Sequence, residues 1–372
     1  MQFNTEYNKT NAIQREAIDQ IEGVVVVNSG PGSGKTQMFA LRVANILIMD
    51  IQQQARNILC LTYTNAGVKA IRERLYSFIG IQAYEVNIFT FHSLCSNIIQ
   101  YHPAEFGLMD FEPVTELEQY EILCEIIDEL PADNVLKRLK GDSYYEAKRM
   151  KNLYQMMKQE YWSSDHIKQK SLEYIKSLPE REEYIYKKAN SKKNILPGDL
   201  KIDAIAKESD KMQTLMAAAE LFNVYNEKLY ERKRYDFSDM ISIVVTHFKK
   251  ELEQEAAGHL SHGILAKQQE QFQYILVDEF QDTTGSQLEF LKLLVDFWEI
   301  PNLFVVGDAD QTIYEFAGAR AKNFEWALSF LDVKVLNTEQ NYRSKQSILS
   351  AAHNLISNNK IRYNHNELVA NV

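Results

Sequence analysis

The chain is short of cysteine: Cys60, Cys95 and Cys124 are its only three, widely separated, odd in number and without a Cys-x-x-Cys pair. That usage excludes a disulfide framework and a cysteine-built zinc site, and it reads as three buried thiols. Long apolar runs are missing as well. Nothing approaches the ~18 residues needed to cross a bilayer, and the opening Met1-Gln-Phe-Asn-Thr-Glu is polar, so a cytoplasmic protein with no membrane partner is expected. Basic charge is in deficit, with 41 Lys and Arg against 51 Asp and Glu and a net charge of −10. A protein that coats nucleic acid indiscriminately is thereby disfavoured, while a local basic groove stays open. Internal repeats and low-complexity tracts are also lacking, so the modules of the chain are unlike one another.

What is present is a length of 372 residues and a hydrophobic content of 45%, enough for two or three domains with sizeable cores. The stretch that organises them is Val24-Val25-Val26-Val27-Asn28 followed by Ser29-Gly30-Pro31-Gly32-Ser33-Gly34-Lys35-Thr36. Four β-branched residues in a row suit a parallel strand buried on both faces, and Gln37 to Met49 has helical spacing. The small residues between them let backbone N–H groups converge, and the new helix adds its unpaired N–H groups and positive dipole end. Such a loop grips a polyphosphate. Lys35 would reach the β- and γ-phosphates of a nucleotide, and the Thr36 hydroxyl would ligate a magnesium ion bridging them. Ser29 stands where the strict motif has its first glycine.

Further strands follow at 57–63 and 86–90, each running into a helix. In an open α/β sheet, ligands lie outside the carboxyl ends of the strands, which places Thr64, Asn65, Thr90, Phe91 and His92 where a substrate would sit. The plainer alternative makes Phe91 a core residue and Thr64 or Ser93 a helix cap. Upstream, Asn11 can cap a helix that carries Gln14.

The next convincing strand, Tyr274 to Val277, comes more than a hundred residues later, whereas a compact βαβ unit needs only about 30. The intervening text is helical in pattern, so a helical subdomain is inserted. Leu136 to Arg234 carries 22 Lys and Arg against 15 Asp and Glu, a local excess of +7, with tyrosines such as Tyr144, Tyr145, Tyr154, Tyr161 and Tyr186 interleaved. This pattern suits a nucleic-acid backbone with stacking platforms as well as it suits solvated helix faces.

The strand at 274–277 ends in Asp278-Glu279, a carboxylate pair of the kind nucleotide hydrolysis needs opposite a phosphate loop. Asp278 would hold the magnesium, and Glu279 would orient and deprotonate the attacking water. A strand at Leu303 to Gly307 leads to Asp308-Ala-Asp-Gln311, whose amide can hydrogen-bond a γ-phosphate. Another opens at Val333 and is followed by Gln340-Asn341-Tyr342-Arg343-Ser344 and a helix.

Together and in order, SGPGSGKT, LTYTNA, TFHS, VDEFQD, VGDADQTIY and QNYRS resemble the motifs of superfamily 1 DNA helicases of the UvrD, Rep and PcrA type. The resemblance implies an α/β fold: a RecA-like P-loop NTPase sheet from 1–110 and 235–331, an inserted all-helical subdomain at 111–234, and the start of a second RecA-like domain at 332–372. It implies that Gln14 reads the adenine edge, Tyr342 stacks on the adenine, and Gln311 and Arg343 contact the γ-phosphate. Thr64, Asn65, Phe91, His92, Tyr314 and Phe316 would face single-stranded DNA. It further implies ATP- and magnesium-dependent translocation in the 3′ to 5′ direction on single strands and duplex junctions, with a protein partner in repair, recombination or defence.

Three departures qualify the likeness. Ala66-Gly67 stand where the family usually has lysine and alanine, and Phe316-Ala317 where it usually has Trp-Arg. The family's later motifs, with the arginine that completes the ATP site, would lie beyond Val372, so a piece of a longer helicase is expected, or a short protein whose partner supplies that arginine. The alternative function is a nucleotide-dependent DNA-binding module, or a partner-dependent ATPase, without unwinding activity of its own.

Overall fold

The computed structural model describes residues 2–49, 54–137, 143–188, 196–236, 238–259, 263–311, 323–358 and 368–371. The chain begins with α1 (Gln2–Tyr7), α2 (Ala12–Asp19), β1 (Val24–Ser29), α3 (Lys35–Met49), β2 (Ile58–Thr62), α4 (Asn65–Ile79), β3 (Asn87–Thr90) and α5 (Phe91–Tyr101). Then come β4 (Glu112–Pro113), α6 (Glu116–Glu129), α7 (Ser143–Glu160), α8 (Ser164–Ser177), α9 (Ile202–Glu220), α10 (Phe222–Glu231) and β5 (Arg234–Tyr235). The last stretch is α11 (Asp239–Ala256), α12 (Ile264–Gln271), β6 (Tyr274–Val277), α13 (Gly285–Val295), β7 (Asn302–Gly307), α14 (Asn323–Leu328), β8 (Lys334–Thr338), β9 (Gln340–Asn341), α15 (Gln346–Ile356) and β10 (Val369–Ala370).

Two compact units result, one from residues 1–106 and 240–372 and the other from 107–239. The first is built on a parallel sheet of six strands in the order β3-β2-β6-β7-β1-β8. The valine run explains the central place of β1: every residue of the strand is buried, with β7 on one side and β8 on the other. A strand covered on both faces needs side chains that are apolar on both faces. Because all six strands run the same way, the segments that follow β1, β2, β3, β6, β7 and β8 emerge at one edge of the sheet.

Helix α3 is buried along most of its length, and it fastens α2 through an unusual residue. Arg42, 1% exposed, donates from Nη1 to the Ala17 carbonyl at 2.5 Å and from Nη2 to that of Ile21 at 3.1 Å. Its guanidinium also lies 4.5 Å from the centre of the Phe304 ring. Burial pulls its pKa down to about 9. The helix that carries Gln14 is therefore tied to the helix that begins with Lys35.

Strand β8 departs from the sequence reading. Residues 332–372 were expected to open a second motor domain, yet Val25 to Ser29 pair in register with Lys334 to Thr338, so this strand completes the first sheet. Alternating exposure along β8 is what an edge strand shows, and the short apolar text of 333–336 gave no sign of which sheet it would join.

The second unit is helical around its own core, which includes Ile122, Ile126, Met150, Tyr154 and Leu229. It is not purely helical: Glu112-Pro113 pairs in parallel with Arg234-Tyr235 where the chain enters and leaves, and its limits are wider than 111–234. Those limits change the charge argument. From Gly107 to Asp239 the formal charge is −4, because Asp110 to Asp133 supplies acids that the window at 136–234 left out. Several basic residues meet them, Lys151 with Glu116, Lys228 with Glu129, Arg232 with Glu125 and Arg234 with Glu118. Tyr154 is likewise no stacking platform, since it is 1% exposed and donates to the Ala218 carbonyl at 2.9 Å.

Candidate nucleotide-binding site

At the carboxyl edge of the sheet, β1 gives way to the loop 30–34, in which Gly32 and Gly34 have φ of +66° and +84°. Only glycine takes such values without strain. Space adds a second demand at position 32, where a Cβ would lie 2.6 Å from the Arg343 Cβ. Ser29, the departure from the glycine motif, is held by a buried hydroxyl relay. Thr338 Oγ1 donates to Ser29 Oγ at 2.9 Å, the Ser29 and Ser33 hydroxyls are 2.7 Å apart, and Ser33 Oγ donates to the Gly30 carbonyl at 2.6 Å. The hydroxyl that glycine lacks thus links the end of β8 to the loop.

Lys35 opens α3, and its Nζ lies 3.1 Å from Glu279 Oε2. Glu279 follows β6 in a left-handed conformation, φ 51° and ψ 49°, which costs a non-glycine residue energy and concentrates at functional sites. Gln281 braces both neighbouring strand ends: its Nε2 donates to Glu279 Oε2 at 2.8 Å, and its Oε1 accepts the Asp308 N–H at 3.0 Å. Gln311 donates from Nε2 to Asp308 Oδ2 at 2.6 Å. Pro31, Gly32, Gly34, Lys35 and Thr36 line a cleft of about 170 Å³ together with Glu279, Gln311 and Arg343.

The strand ends beside the cleft hold their acids at a cost. Burial, aided by the Glu279 charge and opposed by Lys35, pushes the Asp278 carboxyl up to about 7. The same influences in the same order raise Asp282 to about 6, and its Oδ1 is buried without a hydrogen-bond partner. Burial also raises Asp308, against the pull of the Gln311 bond. Carboxylates so placed would be relieved by a cation. Among the described residues no three acidic, histidine or cysteine side chains cluster to cage a metal by themselves. Thr36 and Asp278 as hard oxygen donors fit magnesium, which keeps several waters and takes its remaining ligands from phosphates.

On the far side of the loop, Asn11 and Gln14 form a reciprocal cap on α2, with Asn11 Oδ1 accepting the Gln14 N–H at 2.8 Å and Gln14 Oε1 accepting the Asn11 N–H at 3.0 Å. Gln14 Nε2 donates to the Ser33 carbonyl at 2.8 Å. Asn11 Nδ2 reaches the Tyr342 hydroxyl at 3.0 Å, and the Tyr342 N–H donates to the Gly32 carbonyl at 2.8 Å. Gln14, Tyr342 and the loop are thus gathered on one side, with Tyr342 38% exposed.

Arg74 is the residue that sequence reasoning missed. It reaches the cleft from α4, with Nη1 donating to Gln37 Oε1 at 2.9 Å. Two residues before it, Arg72 turns away to the carbonyl of Ala83, at 2.9 Å. Nothing in a charged helix face distinguishes the two.

The residues expected to face DNA divide. Thr64 is the N-cap of α4 and accepts the Gly67 N–H at 3.0 Å, and Asn65 starts that helix in an exposed position. Gly67 has its own reason: a Cβ there would stand 2.6 Å from Thr62 Oγ1, so the alanine usual in the family does not fit. Phe91 is a correction. It is 3% exposed and meets Phe290 edge-on at 6.4 Å, a core contact and not a face for a base. His92 is half-buried, and burial lowers its pKa. Tyr314 and Phe316 lie outside the described residues.

The sequence profile of the UvrD/REP helicase N-terminal domain matches residues 10–329. An ATP-dependent DNA helicase PcrA from Staphylococcus aureus is 28% identical over 361 residues, 97% of this chain and 41% of its own length. The protein of that name from Leuconostoc citreum is 28% identical over 366 residues, with the same coverage. The chain therefore spans about two fifths of the length of the curated relatives it matches.

Proposed function

Because the chain belongs to the UvrD/REP helicase family, we propose that its cleft binds and hydrolyses ATP and that hydrolysis drives translocation along single-stranded DNA in the 3′ to 5′ direction. The observation that carries the proposal is the convergence of Lys35, Glu279, Gln311 and Arg343 on one cleft beside a phosphate loop. Loop N–H groups and Lys35 receive the β- and γ-phosphates. Thr36 and Asp278 would hold a magnesium ion, which would supply charge neutralisation at the phosphates.

Lys35 leaves Glu279 for the phosphates when nucleotide enters, and the freed carboxylate orients a water and takes its proton as the water oxygen bonds to the γ-phosphorus. The bond from that phosphorus to the β-bridging oxygen breaks, ADP departs, and Gln311 and Arg343 stabilise the charge on the transferred group. Loss of that group changes what Gln311 and Arg343 hold, which is the means to open and close a cleft between motor domains. The adenine lies between the Gln14 side and the Tyr342 ring.

Single-stranded DNA, including the strand at a duplex junction, is the substrate, and it passes the carboxyl edge near Thr64, Asn65 and His92. The second motor domain is proposed to begin after β8. ATPase turnover of the chain with and without oligo-dT tests the proposal: stimulation by DNA, abolished by Lys35→Ala, is expected. ATP binding with no turnover under either condition would instead favour a nucleotide-dependent DNA-binding module.

A further inference from the structure

The Asn341 side chain has no part in the chemistry above, yet it is 1% exposed and three of the four hydrogen-bonding directions of its amide are turned to backbone. Its Nδ2 donates to the Pro31 carbonyl, in the middle of the phosphate loop. Its Oδ1 accepts the N–H groups of Arg343 at 2.8 Å and Ser344 at 2.7 Å. The main chain on either side is fastened as well, for the Tyr342 N–H donates to the Gly32 carbonyl at 2.8 Å and the Asn341 carbonyl accepts the Asn371 N–H at 2.8 Å. Position 32 accepts no side chain because Asn341 Nδ2 and Arg343 Cβ come that close to it, at 2.8 and 2.6 Å from where a Cβ would stand.

The peptide group is planar, so a loop residue that turns its N–H toward a phosphate also turns the carbonyl of the preceding residue. The carbonyls of Pro31 and Gly32 are the ones read by Asn341 and by Tyr342 N–H. A shift of the loop on taking up phosphate is thereby delivered to the backbone from which the Arg343 side chain springs. A merely structural asparagine would need only the two acceptor bonds that start the turn into α15. The donor bond to the loop is surplus to that task.

We infer that Asn341 is a positioning residue that registers Arg343 to the phosphate loop, so that the guanidinium is aimed at a γ-phosphate only when the loop is set around a nucleotide. The inference rests on the proposed reading of the cleft as an ATP site with Arg343 on the γ-phosphate.

Equilibrium binding of magnesium-ATP and magnesium-ADP to the 372-residue chain tests it. Arg343→Ala should lower ATP affinity about 10-fold or more, the usual worth of a bond to a charged group, and leave ADP affinity nearly unchanged. Asn341→Leu, with the same branched four-atom skeleton but no polar atoms, should reproduce that selective loss, and the double variant should lose no more than Arg343→Ala alone. Asn341→Ser keeps a short acceptor for the turn but does not reach Pro31, and it should lose roughly 2- to 10-fold of the ATP-over-ADP preference. If thermal melting shows that the leucine variant is unfolded, the serine variant carries the comparison. Equal losses for ATP and ADP, or losses that multiply in the double variant, would overturn the inference, as would an Arg343 effect with no Asn341 effect. Failure of the parent chain to bind ATP, or a silent Arg343→Ala, would overturn the reading of the cleft and the inference with it.

Discussion

Lys35 Nζ and Glu279 Oε2 stand 3.1 Å apart across the cleft, so the residue proposed to meet the phosphates and the residue proposed to activate water are paired with each other. Their roles separate on substitution. Lys35→Ala should abolish ATP turnover with little change in melting temperature. Glu279→Gln should keep ATP bound while slowing hydrolysis about 10²–10⁴-fold, the usual worth of a positioned base. Equilibrium binding and steady-state turnover on both variants check this, and loss of ATP binding in Glu279→Gln would contradict the assignment.

The relay from Thr338 through Ser29 to Ser33 should be a matter of stability. Ser29→Ala leaves the buried Thr338 hydroxyl without its acceptor, at a cost of about 1–3 kcal/mol. Thr338→Val in the same chain removes the stranded donor and should restore most of the loss. Urea unfolding of the two single variants and the double variant gives the coupling directly.

Asp282 gives a pH dependence. Its pKa is about 6 in the folded chain against an ordinary ~3.9 when unfolded, so between those values the folded state binds more protons and its stability falls as pH rises. Asp282→Asn removes the titration. The variant should gain on the parent in melting temperature from pH 4 to pH 6, and the difference should level off above about pH 7. A difference that is flat across this range would show that burial does not hold the proton on.

Phe91 and Phe316 should part company. Phe91→Ala opens a core contact with Phe290 and should cost roughly 3–5 kcal/mol of stability. Phe316, from the family resemblance a base-stacking ring, should on truncation cost roughly 1–3 kcal/mol in oligo-dT affinity with an unchanged salt slope. Melting and a salt series of binding isotherms distinguish the two. A large melting drop with intact oligo-dT binding for Phe316→Ala would reject the stacking role.

Gly67→Ala should destabilise by about 1–3 kcal/mol through the clash with Thr62 Oγ1, and Thr62→Ala should relieve most of it. Chemical unfolding of the pair provides the check.

Much of the sheet and of the phosphate loop was legible because their chemistry is local. Four adjacent valines demand burial on both faces, glycines at 32 and 34 permit positive φ, and Asn11 with Gln14 is a cap complete within four residues. Asp278-Glu279 at the end of an apolar strand is equally self-contained. The inserted unit was visible as an interval too long for one crossover, but its charge was misjudged because the acids that answer its basic helices lie before residue 136.

Sequence by itself therefore determined the parts that a few neighbouring residues specify: strand, loop, cap and carboxylate pair. Only the tertiary structure decided what meets across long separations. Strand order puts β8 beside β1, and with it Thr338 on Ser29 and Asn341 on Pro31, more than three hundred residues apart in the chain. Helix rotation sends Arg74 into the cleft and Arg72 away from it, and packing takes Phe91 into the core. Backbone preference and side-chain chemistry act over a turn or a strand, whereas these contacts depend on how whole elements stack, and no single segment of sequence encodes that.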